Sequence, residues 1–463
     1  MGISLFATAF SSLSFVGLPR EAAYANYHLY LAILLIPLWV APVVAWVFIP
    51  LYHRLRLTSA YEYLEWRFGR THRLLGSALY TLYNLAWMGS LLYAVGVIVQ
   101  VVLGLNESEL RWAIVLMGLL TTLYTVAGGF EAVIWTDVLQ ALTLGFGMVV
   151  ILFLALGHVE GGLAGVWAVG SQYDKFQMFT MQLDRSEGGT FFSAVSLALF
   201  GYLAIYATEQ TIVQRYVAMP SVSAARRALV VNTLMIVLIC SLFFTVGSTL
   251  FAFYHQNLPV GSEAGRAFPE LARQDQLLPH FIKNELQVVG ILGLLLAGLF
   301  AAAMSSMDSG INSLTALVVS DWLPGRQLGL GLTRICCGVF GALVTIAALL
   351  VPYVGENVYE IIIKISGILT GPLLGIFLLG ILNGRANAPG ALAGLAAGIA
   401  MSLFVALAQP FSHWWFAAAT SMTTLVVGSM AAFFFAAPPP HQVRGLVLGQ
   451  GNELLRPGDH EQV

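Results

Sequence analysis

The chain has 463 residues, 58% of them hydrophobic and 10% charged, with a net charge of -2 and a mean hydropathy of +0.82. A soluble domain carries about 25% charged residues, so the composition excludes a soluble globular protein and predicts an all-α polytopic membrane protein. No basic tract offers a nucleic-acid surface, and Cys240, Cys336 and Cys337 lie in apolar runs without zinc or disulfide spacing, which reads as packing.

Twelve apolar stretches approach or exceed the roughly 20 residues that cross a bilayer: 1–18, 27–51, 74–103, 111–127, 131–157, 190–213, 228–254, 287–320, 328–351, 358–382, 388–409 and 413–436. The first starts inside its apolar run, with no charged n-region and no small-residue cleavage site, and does not read as a signal peptide. Arg54, Arg56, Arg67, Arg70, Arg73, Arg215, Arg226 and Arg227 fall in one set of loops, which the positive-inside rule assigns to the cytoplasm. The expected organisation is a transmembrane domain over 1–437, then a cytoplasmic tail over 438–463 that is too short for an effector domain.

In the first stretch, SLFATAFSSLSFVGLP, hydroxyls at Thr8, Ser11, Ser12 and Ser14 precede Gly17 and Pro19. They either bond back to the preceding turn or mark a broken helix whose freed carbonyls bind a cation. LTSAYEYLEWRFGR reads as a short interfacial or gating helix. In YTVAGGFEAVIWTDVLQ, Gly128 and Gly129 supply a turn and Asp137 falls two turns into the next helix, a depth at which a carboxylate usually serves an ion or substrate path. YATEQTIVQRYVAMPSVSAARRALV closes the sixth stretch, where Arg215, Arg226 and Arg227 read as snorkelling and Glu209 lies deeper, with no role assigned.

The eighth stretch is the centre of the reading. Ala302, Ser305, Ser306, Ser309 and Ser313 recur at three and four residues and so share one face of an apolar helix, with Asp308 among them. Such an oxygen-rich face at mid-membrane suggests a cation site. In the tenth stretch, YEIIIKISGILTGPLLG, Lys364 precedes Gly367, Gly371 and Pro372, which suggest an interrupted helix. Lys364 can snorkel, pair with a carboxylate or meet an anionic solute.

AAAMSSMDSGINSL, YTVAGGFEAVIWTDVLQ, TSAYEYLEWRFG, QRY followed by ARRAL, and TGPLLGIFLLGI together resemble the sodium:solute symporter family, and SLFATAFSSLSF most resembles its bacterial sialic acid carriers. The resemblance implies a LeuT-type fold of about twelve helices. Two inverted repeats, about 1–157 and 190–383, would rock around a midplane site, with extra helices over 388–436. It implies a Na+ site formed by Ala7, Phe10, Ala302, Ser305 and Ser306, where carbonyl and hydroxyl oxygens suit a hard cation. A second Na+ site would join Asp137, Ser305, Asp308 and Ser309. Solute would meet Ser11 and Ser14, with Tyr202, Lys364 and Thr370 as neighbours.

Trp87 stands where sialic acid carriers offer an arginine, and Tyr202 where they tend to show asparagine, so a smaller organic anion using Lys364 and a neutral sugar stacking on aromatics both stay open, the acid slightly ahead. The expected function is Na+-coupled import of such a solute across the plasma membrane, in a bacterium the inner membrane, by a protein that works as a monomer and performs no covalent catalysis. The rival readings are a solute-binding receptor without transport, a channel, and an intramembrane hydrolase. For the last, His28, His53, His72, His158, His255, His280 and His413 all sit at ends or loops.

Overall fold

The computed structural model describes residues 12–186, 188–257, 268, 271, 274–286, 290–323, 329–353 and 358–450. In chain order the main helices are α1 (Ser12–Tyr24), α2 (His28–Leu55), α3 (Glu62–Phe68), α4 (Arg70–Leu103), α5 (Glu107–Gly157), α6 (Gly162–Gln172), α7 (Phe191–Thr208), α8 (Gln210–Val217), α9 (Val222–Gln256), α10 (277–286), α11 (Ile291–Leu317), α12 (Leu330–Leu350), α13 (Val358–Leu382), α14 (Ala388–Ala408) and α15 (His413–Phe434). Among the described residues nine helices are long and apolar enough to cross a membrane, or ten if the pair Ala141–Gly157 and Gly162–Gln172, bent by 80°, counts as one span. The stretch predicted at 287–320 is α11, and most of the first predicted stretch lies outside the described residues. Leu38, Trp46, Trp112, Leu119, Phe146, Phe153, Leu238 and Leu407 are each more than half exposed, a surface suited to lipid tails.

Helical hydrogen bonding runs through α5 for 51 residues, where the sequence predicts a turn at Gly128–Gly129. The path is nevertheless not straight. Tyr124 donates a 3.0 Å hydrogen bond to the Met304 carbonyl, and Leu144 packs beside Gly298. Those two sites on α11 are about 9 Å apart along the axis, whereas a straight helix would separate Tyr124 from Leu144 by about 30 Å. The helix therefore bends between Tyr124 and Leu144 without a break in its hydrogen bonding.

The interruption expected at Gly371–Pro372 is absent: α13 is continuous through Pro372. A proline removes one N–H and so frees the carbonyl four residues earlier, which here is Ile368. Ser402 of α14 donates a 2.7 Å hydrogen bond to that carbonyl. Gly367 and Gly371 serve close packing instead, since a Cβ on Gly371 would overlap Thr420 Oγ1, and Thr420 and Ser421 donate to the Gly367 and Gly371 carbonyls at 3.0 and 2.7 Å. Ser402→Ala is expected to lower stability by about 1 kcal/mol, read as a lower melting temperature in detergent. An unchanged melt would show that the freed carbonyl needs no partner.

The short helix α3 is tucked in rather than surface-lying. Arg67 is fully buried and donates to the Gly380 and Asn383 carbonyls at 3.1 and 2.7 Å, capping the end of α13. Arg73, at the start of α4, contacts Glu65 at 2.6 Å, Glu62 at 3.1 Å and Asp321 at 2.7 Å, which fastens α3 to the segment following α11.

In the loop after α6, Lys175 donates a 2.6 Å hydrogen bond to the Ala23 carbonyl and lies 4.5 Å from the Phe251 ring centre. Burial pulls its pKa down to about 8, against the opposing pull of Glu21. Between that value and the ordinary lysine range near ~10.4 the unfolded chain holds more protons than the folded one, so this group makes stability rise with pH. Melting temperatures from pH 8 to 10 should therefore show wild type gaining on Lys175→Met. A constant difference would contradict the shift.

Candidate functional site

The site is organised by a break between α7 and α8 that the sequence reading did not anticipate. At Glu209 the backbone turns extended, with φ -72° and ψ 125°, and the helix restarts at Gln210. A helix end leaves carbonyls and N–H groups unpaired, and buried in a bundle each needs a partner. Three tyrosines supply them. Tyr52 donates to the Ala207 carbonyl, Tyr61 donates to that of Thr208 at 3.0 Å, and the Tyr80 hydroxyl oxygen accepts from the Thr211 N–H at 3.2 Å. The Gln210 side chain is itself pinned, accepting from the Ala60 N–H at 2.8 Å and donating to the Thr58 carbonyl at 3.1 Å.

The serine face of α11 looks onto this break. Ser313 exchanges a 2.9 Å hydrogen bond with Tyr80 and accepts one from Asn84 at 3.2 Å, while Gly310 allows Met88 and Asn84 to approach closely. Ser309 accepts from Arg215 at 2.8 Å, and a second Arg215 nitrogen donates to the Thr211 carbonyl at 2.7 Å. Arg215 is fully buried, so it does not snorkel as the sequence suggested. Arg226 behaves as expected for an interfacial residue, with its guanidinium 4.5 Å from the Trp46 ring centre. Asp308, also fully buried, accepts 2.7 Å from Tyr124 and 3.3 Å from Ser309. The proposed second-site residues Asp308 and Ser309 are thus already linked to a phenol and a guanidinium.

Two neighbouring cavities flank the break. The larger, about 150 Å³, is lined mainly by apolar and aromatic side chains, with Trp87, Tyr202 and Tyr206 on its walls and Ser14, Ser366 and His413 as polar members. Here α7 loosens into wider turns over Leu197–Tyr202, an irregularity frequent at functional sites. The smaller, about 50 Å³, is lined by Tyr83, Asn84, Glu209, Thr211, Ser306 and Gly310 among others, and Trp87 and Ile205 border both.

Of the residues singled out from sequence, Ser305 and Ser306 are buried on α11, and Ser306 reaches the smaller cavity. Ser14 and Tyr202 line the larger one. Thr370 is buried but bonds back to the Ser366 carbonyl at 2.8 Å, and Lys364 donates to Gln409 at 3.4 Å; neither is among the described lining residues. Ala7, Phe10 and Ser11 lie outside the described residues, as do the side chains of Asp137 and Ala302. The α1 helix does touch α11. Among the described residues no three His, Cys, Asp or Glu side chains converge as a transition-metal site requires. Tyr80, Tyr83 and Asn84 were not singled out from sequence, although their spacing of three and four residues, continued by Trp87, marks a single helical face.

A profile of the sodium:solute symporter family matches residues 1–398. The chain is 33% identical over 409 residues to the sodium/sialic acid symporter SiaT of Proteus mirabilis, covering 85% of this chain and 79% of that one. It is 31% identical over 415 residues to the sodium/sialic acid symporter NanT of Aliivibrio fischeri, covering 87% and 79%. Its fold matches a Na+-coupled sialic acid symporter solved in a substrate-bound outward-open state, with a TM-score of 0.79 at 30% identity over 94% of this chain and 89% of that one. The likeness to Mhp1, a nucleobase-cation-symport-1 transporter, is one of fold alone, at 16% identity and a TM-score of 0.54. A profile match across most of the chain, two bacterial symporters at this identity and a shared fold agree: the protein belongs to the sodium:solute symporter family.

Proposed function

We propose that this multi-pass membrane protein imports a small organic solute with Na+, holding the ion on the serine face of α11 and the solute in the larger cavity beside it. The observation that carries the reading is the convergence of Ser306, the unwound backbone at Glu209 and a cavity at one place in the bundle. Oxygen ligands without a transition-metal set suit Na+. In this reading Ala302, Ser305 and Ser306 act with the carbonyls of Ala7 and Phe10, and Ser14 and Tyr202 contact the solute. Asp308 and Ser309 belong to the Tyr124 and Arg215 network rather than to a second ion, so one Na+ accompanies each solute.

The finer architecture belongs to the same proposal: a LeuT-type arrangement of about twelve helices, with repeats near 1–157 and 190–383, extra helices over 388–436 and a cytoplasmic tail from 438. It would work as a monomer in the plasma membrane, as a carrier and not as an enzyme. Sialic acid, the solute named for the two bacterial relatives, is one candidate, but the described lining of the larger cavity, which includes Trp87, holds no lysine or arginine for its carboxylate.

Binding of Na+ to the folded state alone stabilises it by about 2.7 kcal/mol at a hundred times its Kd. Purified protein should therefore melt at higher temperature in NaCl than in KCl or choline chloride, and Ser305→Ala should lose that difference. Equal melts in all three salts would contradict the ion assignment.

A further inference from the structure

The smaller cavity contains a feature that the ion site does not use. Glu209 is 8% exposed, its Oε1 has no hydrogen-bond partner among the described residues, and it lines the space of about 50 Å³ between Tyr83, Asn84, Thr211 and Ser306. Tyr83 stands against the carboxyl group as its side-chain neighbour. A carboxyl group buried this way costs free energy unless it receives O–H or N–H donors or a positive charge. The space holds a few groups the size of a water, which is room for a hydroxyl, hydroxymethyl or ammonium head.

The neighbouring cavity provides the other half of a recognition surface. Trp87 and Ile205 border both spaces, and Trp87, Tyr202 and Tyr206 present flat apolar faces to whatever fills the larger one. Among the described residues lining the two cavities there is one carboxyl group, no lysine and no arginine, and His413 is the one imidazole. We propose that Glu209 anchors the hydrogen-bond-donating head of the solute, and that the transported class is a neutral or cationic O–H or N–H donor with an apolar or ring body, not an organic carboxylate. This rests on the symport reading above and narrows its solute. The helix break gives the anchor its position: only because α7 ends at Thr208 does the residue after it turn its side chain into the cavity instead of continuing the helix surface.

The test is uptake into proteoliposomes of galactose, galactosamine and galacturonate, which share one ring and differ in carrying a hydroxyl, an ammonium or a carboxylate, together with the three-carbon set glycerol, serinol and lactate. Each is measured with and without an inward Na+ gradient. The neutral or amine members should be taken up and the acids should not, and comparing the first two decides which donor is used. Glu209→Gln should raise KM about tenfold, as expected for loss of a carboxyl group that anchors the solute by hydrogen bonds, while the Na+ concentration for half-maximal uptake stays within about twofold. Glu209→Asp, which keeps the carboxylate, should retain the class preference with an intermediate KM, separating anchoring from a folding defect. Uptake confined to the carboxylates, an unchanged KM in Glu209→Gln, or loss of all Na+-driven uptake in both variants overturns the assignment while leaving symport standing. Uptake of the panel that ignores the Na+ gradient, or none at all, defeats the symport reading itself.

Discussion

Arg215→Met is expected to destabilise the protein by about 3–5 kcal/mol, the usual consequence of removing one member of a buried charged network. Against a typical total of about 5–15 kcal/mol, that is enough to lose most of the folded material on purification. The guanidinium is fully buried and bridges two elements, donating to the Thr211 carbonyl within α8 and to Ser309 on α11. Ser309 in turn lies 3.3 Å from the Asp308 carboxylate. Taking away the positive charge removes the cation nearest in this network to the buried Asp308 carboxyl, which accepts from Tyr124 and Ser309. Arg215→Lys should fall between, because one ammonium cannot reproduce two divergent N–H donors. The double variant Arg215→Met with Asp308→Asn should recover part of the loss, since coupled neighbours are not additive. Thermal melts in detergent measure all four proteins. A wild-type melt for Arg215→Met, or strict additivity in the double variant, would show that the network does not hold α8 to α11.

Ser306→Ala is expected to weaken Na+ binding roughly 10- to 100-fold, the range for losing one oxygen that contacts a charged group. The substitution is small and the residue borders a cavity, so the fold should survive it. The readout is the Na+ concentration giving half-maximal solute uptake, with maximal uptake recovered at high Na+. An unchanged Na+ dependence would move the ion away from this face of α11.

The two substitutions also mark what a linear reading can and cannot find. The serine face was legible because a helix repeats every three to four residues, and Ser306, Ser309 and Ser313 do face α8 and the tyrosines that hold the break. The glycine pair Gly128–Gly129 predicts a turn, whereas helical hydrogen bonding continues through it in α5. The break at Glu209 was not legible, because it occurs without glycine or proline and is held open by Tyr52, Tyr61 and Tyr80, about 130 to 155 residues earlier. Pro372 misled in the opposite direction: locally it predicts a break, but Ser402 satisfies the carbonyl it frees. Arg215 looked like a helix-end residue because its partner on Ser309 is 94 positions away. Lys364, charged within an apolar run, donates to Gln409 just past the end of α14, 45 positions away. In each case the deciding contact is long-range, and no local propensity carries it.

The most direct measurement is solute accumulation in proteoliposomes under an imposed tenfold inward Na+ gradient, with the internal and external solute counted over time. A gradient of that size is worth about 1.4 kcal/mol per ion. With one coupled Na+ the internal solute should overshoot its external concentration by up to about tenfold and then decay as the gradient runs down. An inside-negative potential should raise the overshoot for a neutral solute, because net positive charge enters. Rise only to the external concentration, at the same rate with K+ in place of Na+, would contradict coupled transport by this protein.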